Sequence, residues 1–343
     1  MRVEAVLRNP PLADVARLAR QAEALGFDGL AIPEIKRDPF VLATLAAQAT
    51  SRIRISTAVA LAFPRSPTVA AYAARSVSDL AQGRFVLGLG TQVKAHVERR
   101  FGVSWSAPSD RLRDYIGAVR AVLECWHTGA PLDFDSEHYR LSLMTPEFSP
   151  GSSDYGPIPI QIGAVNARNL ELAAEVCDGV RLHPFCTPEY TRQVVRPHLA
   201  AGVDRAGRSA GQVEIVGGGF IITGPSSAQV KRGRDEARRQ IGFYASTPTY
   251  APVLALHGWA DFGGQLRRLI ARQQWDELAS AIDDEVLDAF CIAAPYEELA
   301  GAIAAKLGGL VNWIALPLPE RVVGRDRFRS MIEQLRGIPE ASH

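Results

Sequence analysis

The 343-residue chain is 47% hydrophobic and 22% charged, a balance typical of a globular protein with a large core. Its 38 Lys and Arg against 37 Asp and Glu leave a net charge of +1, which excludes a basic surface for nucleic acid or for a membrane. With no signal-peptide pattern and no apolar run of about 20 residues, we expect a cytoplasmic protein whose partner is a small molecule.

The first half of the chain alternates short apolar runs, typical of buried strands, with segments of helical periodicity that end at Gly or begin at Pro. A small hairpin over Leu132–Leu141 and a Pro-, Gly- and Ser-rich loop follow. The predicted strands are Arg2–Leu7, Gly29–Ile32, Arg52–Val59 and Arg84–Leu89, and the predicted helices are Leu12–Leu25, Phe40–Ala49, Ser66–Leu80 and Ser109–His127.

The second half continues the alternation. Between Ser226 and Phe290 the pattern is helical and too long for one crossover, which predicts an inserted helical segment with breaks near Thr247 and Pro248 and near Gly263 and Gly264. The predicted strands are Ile158–Ile162, Gly179–Leu182, Val213–Ile222 and Leu310–Leu316, and the predicted helices are Asn166–Val176, Pro188–Ala201, Tyr296–Leu307 and Arg321–Leu335.

Eight strands, each followed by a helix, predict an α/β fold: a closed parallel (β/α)8 TIM barrel, as one domain over residues 1–343 with a helical insertion at 226–290 after strand seven. An open Rossmann-type sheet is the alternative. That fold needs a Gly-x-Gly-x-x-Gly turn after its first strand, and none stands there.

In such a barrel the chemistry belongs at the C-terminal ends of the strands. The four lysines lie outside the predicted strands, which argues against a Schiff-base aldolase, and Leu7, Arg8 and Asn9 replace the His-x-His of a metal-dependent hydrolase. Small residues and exposed backbone remain, which suit a large flat cofactor. The strand ends carry Asn9, Pro33–Lys36, Ala58–Ala60, Gly90–Gln92, Gly163–Asn166, His183 and Pro184. The four cysteines, Cys125, Cys177, Cys186 and Cys291, form no Cys-x-x-Cys pair, which predicts reduced, buried thiols and no metal site.

Four segments in chain order, which together span the barrel, resemble the luciferase-like flavin and deazaflavin oxidoreductases. Shorter motifs resemble the branch of that superfamily that depends on coenzyme F420. The resemblance implies a luciferase-like barrel and a homodimer. The four segments are Ala24–Leu30, Ser51–Val59, Ser78–Gly90 and Pro157–Ala164, and the shorter motifs are Asp38–Phe40, Ala62–Pro67, Ser246–Pro248 and Leu256–Trp259.

The resemblance also implies the residues that bind the cofactor. A non-prolyl cis peptide between Ala58 and Val59 would lie behind the central ring, against the alternative of an ordinary trans strand end. Asn166 is compatible with a plain N-cap as well as with a phosphate site at the start of a helix. The residues expected beside the ring and tail are Gly90, Thr91 and Gln92, and those expected at the phosphate are Gly163, Ala164, Val165 and Asn166.

Glu34 stands at the end of strand two, where related deazaflavin enzymes carry Asp-His or Glu-His. Ile35 follows it here, so the familiar histidine is absent. Proton transfer would then come from Glu34, from His183 or from His96, although a single histidine is more often structural. Lys94, Arg99 and Arg100 are expected either to reach an anionic cofactor tail or to form a solvated helix face.

By this resemblance, the chain would transfer a hydride between carbon 5 of coenzyme F420 and a small organic substrate, with the redox chemistry supplied by the cofactor. One alternative is an FMN-dependent monooxygenase of the same fold. Another is a flavin-binding carrier or sensor without catalysis. We expect the helical insertion to cover the mouth of the barrel, with His257 and Trp259 in the pocket, and the sequence does not identify the substrate.

Overall fold

The computed structural model describes residues 1–341 and has a closed barrel of eight parallel strands at its centre. Adjacent strands pair in register around the whole ring, and pairing of Ile55 with Phe85 and of Arg2 with Trp313 leaves no open edge. This confirms the predicted (β/α)8 barrel. Its strands are β1 (Arg2–Val6), β2 (Gly29–Ile32), β3 (Arg54–Thr57), β5 (Phe85–Gly90), β8 (Ile160–Ala164), β9 (Gly179–Leu182), β10 (Glu214–Val216) and β13 (Trp313–Pro317).

The other strands are short or lie outside the barrel. They are β4 (Ala60–Leu61), which pairs with β5, the hairpin β6 (Phe134–Asp135) and β7 (Arg140–Leu141), and the parallel pair β11 (Phe220–Gly224) and β12 (Cys291–Pro295).

Helices surround the barrel and bury their apolar faces against it, and none in residues 1–341 is long and apolar enough to cross a membrane. In the first half they are α1 (Val15–Leu25), α2 (Pro39–Ala49), α3 (Pro67–Leu80), α4 (Lys94–Arg99) and α5 (Pro108–Thr128). In the second half they are α6 (Ala167–Val176), α7 (Pro188–Tyr190), α8 (Arg196–Arg205), α9 (Ser227–Ala245), α10 (Ala251–Leu256), α11 (Phe262–Ala271), α12 (Trp275–Ser280), α13 (Asp284–Phe290), α14 (Tyr296–Leu307) and α15 (Arg325–Arg336).

Local sequence signals set the helix ends near the mouth of the barrel. The side chains of Asp38, Ser66 and Asn166 each accept a hydrogen bond from a backbone N–H in the first turn of α2, α3 and α6. These caps satisfy amide donors that have no partner inside the helix. At the other end of α1, Gly26 adopts the left-handed conformation that ends a helix.

The prediction of one continuous strand over Val213–Ile222 is wrong. Gly217, Gly218 and Gly219 all have positive φ values, which interrupts the extended chain between β10 in the barrel and β11 outside it. β11 pairs instead with β12, a strand that the sequence analysis did not predict. The helical insertion therefore leaves the barrel through one strand of this small sheet and returns through the other.

Within the insertion, the predicted break at Thr247 and Pro248 is confirmed, because α9 ends at Ala245 and a new turn starts at Pro248. The break predicted near Gly263 and Gly264 lies slightly earlier, between the end of α10 at Leu256 and the start of α11 at Phe262, and both glycines lie in the first turn of α11. A Cβ on Gly263 would lie 2.8 Å from the carbonyl oxygen of Ala245, so this glycine allows α11 to pack closely on the end of α9.

The interior of the barrel contains a buried ion pair that crosses from one side to the other. The guanidinium of Arg181 on β9 donates to both carboxylate oxygens of Glu4 on β1, at 2.8 and 3.1 Å, and to the hydroxyl of Ser56 on β3 at 2.7 Å. All three side chains are buried. Small residues face this layer, and a Cβ on Gly88 would lie 3.3 Å from Nε of Arg181.

A second charged cluster lies around Glu214 of β10. Its carboxylate accepts from Arg54 at 2.6 Å and from the indole of Trp313 at 3.1 Å, and it pairs with Arg2 at 2.9 Å. Burial acts to raise the pKa of Glu214, but the charges of Arg54 and Arg2 and the hydrogen bonds from Arg54 and Trp313 together hold that pKa below its usual value. The interior of the barrel is thus held by charge pairs as well as by apolar packing.

We expect Glu4→Gln to lower the free energy of unfolding by about 3–5 kcal/mol, because it leaves the Arg181 guanidinium buried without its counter-charge. Urea denaturation of the full chain measures this. The double variant Glu4→Met with Arg181→Met should recover part of the loss, because neither charge is then buried alone. A Glu4→Gln protein within about 1 kcal/mol of the unsubstituted chain would contradict the account.

Candidate active site at the barrel mouth

The carboxyl ends of the barrel strands define the mouth, and β3 enters it through an unusual turn. The peptide bond between Ala58 and Val59 is cis, as predicted, and the chain continues as β4 beside β5. A Cβ on Gly90 would lie 2.5 Å from a methyl group of Val59, and one on Gly163 would lie 3.7 Å from its other methyl group. The Val59 side chain therefore lies between the ends of β5 and β8, where position 90 must be glycine.

The turn after β8 presents backbone groups at the start of α6. Asn166 accepts from the Asn169 amide at 3.0 Å, and the carbonyl of Val165 accepts from the Tyr190 hydroxyl at 3.0 Å. Gly163, Val165 and Asn166 are half-buried and Ala164 is buried. The first amides of α6 have no acceptor within the helix, so this turn is suited to an anion.

The turn after β5 continues the same side of the mouth. Thr91 and Gln92 are half-buried, and Gln92 adopts a left-handed conformation, with φ of 60°, while its side chain accepts from the Val93 amide at 2.9 Å. We call the ends of β3, β5 and β8 the glycine half of the mouth. It is formed by Ala58, Val59, Gly90, Thr91, Gln92 and Gly163–Asn166, the residues that the sequence analysis predicted to bind a cofactor.

Glu34, which the sequence analysis predicted to transfer a proton, forms hydrogen bonds that hold two segments of the chain together. Its two carboxylate oxygens accept from Arg65 at 2.7 and 3.1 Å, and one of them also accepts from the Leu61 amide at 2.8 Å. Burial acts to lower the pKa of Arg65, but its hydrogen bonds to Glu34 and Asp38 outweigh that and raise it. These contacts tie the loop after β2 to β4 and leave Glu34 poorly placed to exchange a proton, so its catalytic role stays a prediction.

His183 follows β9, the strand that pairs with β8. Burial and, second, the positive charge of Arg8 lower the pKa of His183 to about 4, so its imidazole is neutral near pH 7. Its Nδ1 accepts from the Phe185 amide at 3.0 Å, which assigns the ring proton to Nε2. His183 is therefore a hydrogen-bond donor, and the lone pair that a general base would need is already occupied.

Aromatic side chains from the insertion pack on His183. Tyr244 contacts the imidazole with ring centroids 4.4 Å apart, Tyr250 does so at 4.8 Å, and Phe185 lies 5.2 Å from Tyr250. These contacts confirm that the insertion covers the C-terminal end of the barrel. We call this side, formed by His183, Tyr244 and Tyr250, the aromatic half of the mouth.

His257 and Trp259 connect the insertion to the loop after β9. The two rings stack with centroids 4.8 Å apart, and His257 forms a 2.9 Å hydrogen bond with the Thr187 hydroxyl. Burial lowers the pKa of His257. These contacts hold the insertion in place, so that its tyrosines stay on His183.

Two sets of residues that the sequence analysis singled out, His96 and the cations of α4, have no contact with the aromatic half. His96 is exposed on α4, apart from the aromatic half, and its predicted catalytic role has no supporting contact. On the same helix, Lys94 and Arg99 are exposed, and Arg100 donates to the Ile35 carbonyl at 3.1 Å, which joins α4 to the loop after β2. The sequence analysis missed Arg8, Tyr244 and Tyr250, although Arg8 directly follows the first strand and adjoins Asn9.

A groove of about 290 Å³ lies elsewhere, on the outer side of the barrel between α8 and β10. Its lining is mainly apolar and includes Leu199, Val203 and Ile215. We place the candidate site at the mouth, because the cis peptide, the glycine turns and a histidine of shifted pKa come together there.

The neutral state of His183 predicts a pH dependence of stability. Its pKa is about 4 in the folded chain against 6.5 for the ordinary side chain, so the unfolded chain binds the proton first, and the free energy of unfolding falls as pH drops from about 6.5 towards 4. His183→Gln should make this fall smaller in urea denaturation at pH 7 and pH 5. His96→Gln, which removes an exposed imidazole, is the control, and an unchanged fall in His183→Gln would contradict the assignment.

The sequence is similar to known proteins over most of its length. Residues 2–311 match the family model described as luciferase-like monooxygenase. An uncharacterized protein of Mycobacterium tuberculosis is 37% identical over 308 residues, which covers 90% of each chain. The 5,10-methylenetetrahydromethanopterin reductase of Archaeoglobus fulgidus is 28% identical over 323 residues, again covering 90% of each chain.

Among solved structures, the coenzyme F420 dependent tetrahydromethanopterin reductase from Methanopyrus kandleri superimposes with a TM-score of 0.80 over 98% of each chain. The two sequences are 18% identical, so this likeness concerns the fold. The match over most of the chain, together with the closed barrel, shows that this protein belongs to the luciferase-like monooxygenase family.

Proposed function

We propose that the chain is an oxidoreductase that transfers a hydride between coenzyme F420 and a small organic substrate. The observation that carries the proposal is the glycine half of the mouth, where the side chain of Val59 packs between Gly90 and Gly163 beside the start of a helix. Two similar proteins support the proposal: the Archaeoglobus fulgidus protein is a reductase, and the Methanopyrus kandleri protein is a reductase that depends on coenzyme F420.

The residues of the glycine half fit a flat ring with a phosphate tail. A Cβ on Gly163 would meet the two methyl groups of Val59 at 3.7 and 3.9 Å, which is ordinary van der Waals contact, so Val59 lines the space above this residue without filling it. Val59 would support the ring, and the turn at Ala164–Asn166 would receive the phosphate at the start of α6. When bound, coenzyme F420 supplies the hydride donor or acceptor at carbon 5 of its ring.

The aromatic half would orient the substrate. His183 offers its Nε2–H to a substrate oxygen, while the Phe185 amide holds Nδ1 and so fixes the tautomer. Tyr244 and Tyr250 exclude water from the same region. This polar donor at the mouth favours an enzyme over a carrier or sensor. The family description favours FMN-dependent monooxygenation as the second candidate.

Titration of the purified full chain with coenzyme F420 and, separately, with FMN tests the cofactor. We expect F420 to bind, with changes in its fluorescence and visible absorbance, because small residues and main-chain groups form the glycine half and the exposed cations Lys94 and Arg99 follow it on α4 for an acidic tail. Binding of FMN alone would overturn the assignment and favour the monooxygenase.

Gly163→Ala tests where the ring binds. The added methyl group would occupy ring space without a clash in the protein, so we expect the affinity for F420 to fall by about 1–3 kcal/mol while the melting temperature is kept. Gly301→Ala, on the exposed side of α14 with no atom within 4 Å of the added group, is the matched control. Unchanged F420 affinity in Gly163→Ala would place the ring elsewhere.

We also propose a homodimer that forms through the outer faces of α2 and α3. α2 contains no charged residue, and α3 contains only Arg75 and Asp79, which bond to each other. Val41 and Val69 are about half exposed on these faces, and Phe148 in the loop beside α3 is 64% exposed. Such an uncharged apolar surface fits a second copy of the same surface.

Val69→Asp should convert the dimer to a monomer, because the new carboxylate would be buried without a partner in the interface. Light scattering after size-exclusion chromatography measures the mass. Val323→Asp, at an exposed position before α15, is the control. An unsubstituted chain that is monomeric at micromolar concentration would contradict the dimer.

A cytoplasmic location is part of the same proposal. All four cysteines are free thiols buried in the core, as expected in a reducing compartment.

A further inference from the structure

Arg8, at the end of β1, is a cation at the mouth without an acidic partner. It is exposed, and it forms no ion pair with any residue in the described range 1–341. Its guanidinium is close enough to His183 to affect that side chain electrostatically. Arg8 follows β1, which pairs with β13 and β2, so β2 separates it from the strands of the glycine half, where the cofactor is proposed to bind.

The acids of the neighbouring loop do not neutralise Arg8. Glu34 and Asp38 both bond to Arg65, at 2.7 and 2.6 Å. Lys36, on the same loop, is held near Arg8 because its amide donates to the Asn9 side chain at 3.2 Å. This part of the rim is thus positive, with its carboxylates already committed, and it would attract an anion.

The tyrosines beside His183 add an apolar wall with polar tips. Tyr244 meets the imidazole in a T-shaped arrangement and Tyr250 in a tilted one, and within residues 1–341 the hydroxyls of both tyrosines have no hydrogen-bond partner. Phe185, which is buried, and Phe220 pack against Tyr244 and support this wall. A ligand with a flat apolar body fits the rings, and a ligand oxygen fits the free hydroxyls and Nε2–H of His183.

We propose that the substrate is an organic oxyanion with a flat apolar body, and that Arg8 is the specificity-determining residue that binds its carboxylate or phosphate group. The inference rests on the proposed function and names the substrate class of that same site. The body lies on Tyr244 and Tyr250, and the reacting carbon lies between His183 and the glycine half.

Three probes of the same shape test the proposal on the full chain saturated with coenzyme F420: 2-naphthoate, 2-naphthyl phosphate and the uncharged 2-naphthamide. Isothermal titration calorimetry should show that at least one anion binds roughly 10–100-fold more tightly than the amide, the range expected for a charge-assisted hydrogen bond. The two anions separate a carboxylate site from a phosphate site.

Arg8→Gln should abolish this preference and leave F420 affinity unchanged. Arg37→Gln, which removes an exposed cation of the next loop, is the matched control and should keep the preference. Equal binding of anion and amide to the unsubstituted chain, or a preference that persists in Arg8→Gln, would overturn the inference. Loss of F420 affinity in Arg8→Gln would also overturn it, because Arg8 would then bind the cofactor. Failure of F420 to bind the unsubstituted chain would instead count against the proposed function.

Discussion

The ion pair between Glu34 and Arg65 is the constraint on which the mouth depends. The Glu34 carboxylate also accepts from the Leu61 amide, so the loop after β2 holds the segment that follows Val59. Arg65 in turn donates to the Leu61 carbonyl at 3.0 Å. With that segment fixed beside β5, Val59 stays against Gly90 and Gly163, and the glycine half keeps its shape. Preorganisation of this kind lowers the entropy lost when a ligand binds.

Charge is divided unequally between the two halves of the mouth. On the glycine half, binding would rest on main-chain groups, on Val59 and on the start of α6. The aromatic half has a neutral imidazole that contacts two tyrosines, and the Arg8 cation lies at the end of β1. The buried pair of Arg181 and Glu4 closes the barrel below both halves. This division would let one face of a ring be supported while its other face meets a substrate.

Much of the fold could be predicted because buried strands and helices produce a regular spacing of apolar residues in the sequence. The strands Gly29–Ile32 and Gly179–Leu182 and the helix Tyr296–Leu307 coincide with the predicted ranges. β12 was missed because five residues between two helices carry too little periodicity. Arg8, Tyr244 and Tyr250 meet at His183 only through tertiary folding, since they are distant in the chain. The anchoring contacts of Glu34 likewise depend on Arg65, which no local pattern links to it.

A crystal structure of the chain with coenzyme F420 bound tests the central claim most directly, namely that the mouth has one half for the cofactor and one for the substrate. The account predicts a deazaflavin ring in contact with Val59 and a phosphate at Ala164–Asn166, with His183, Tyr244 and Tyr250 left free for a substrate. A ring stacked among those tyrosines, or a phosphate bound at Arg8, would contradict it.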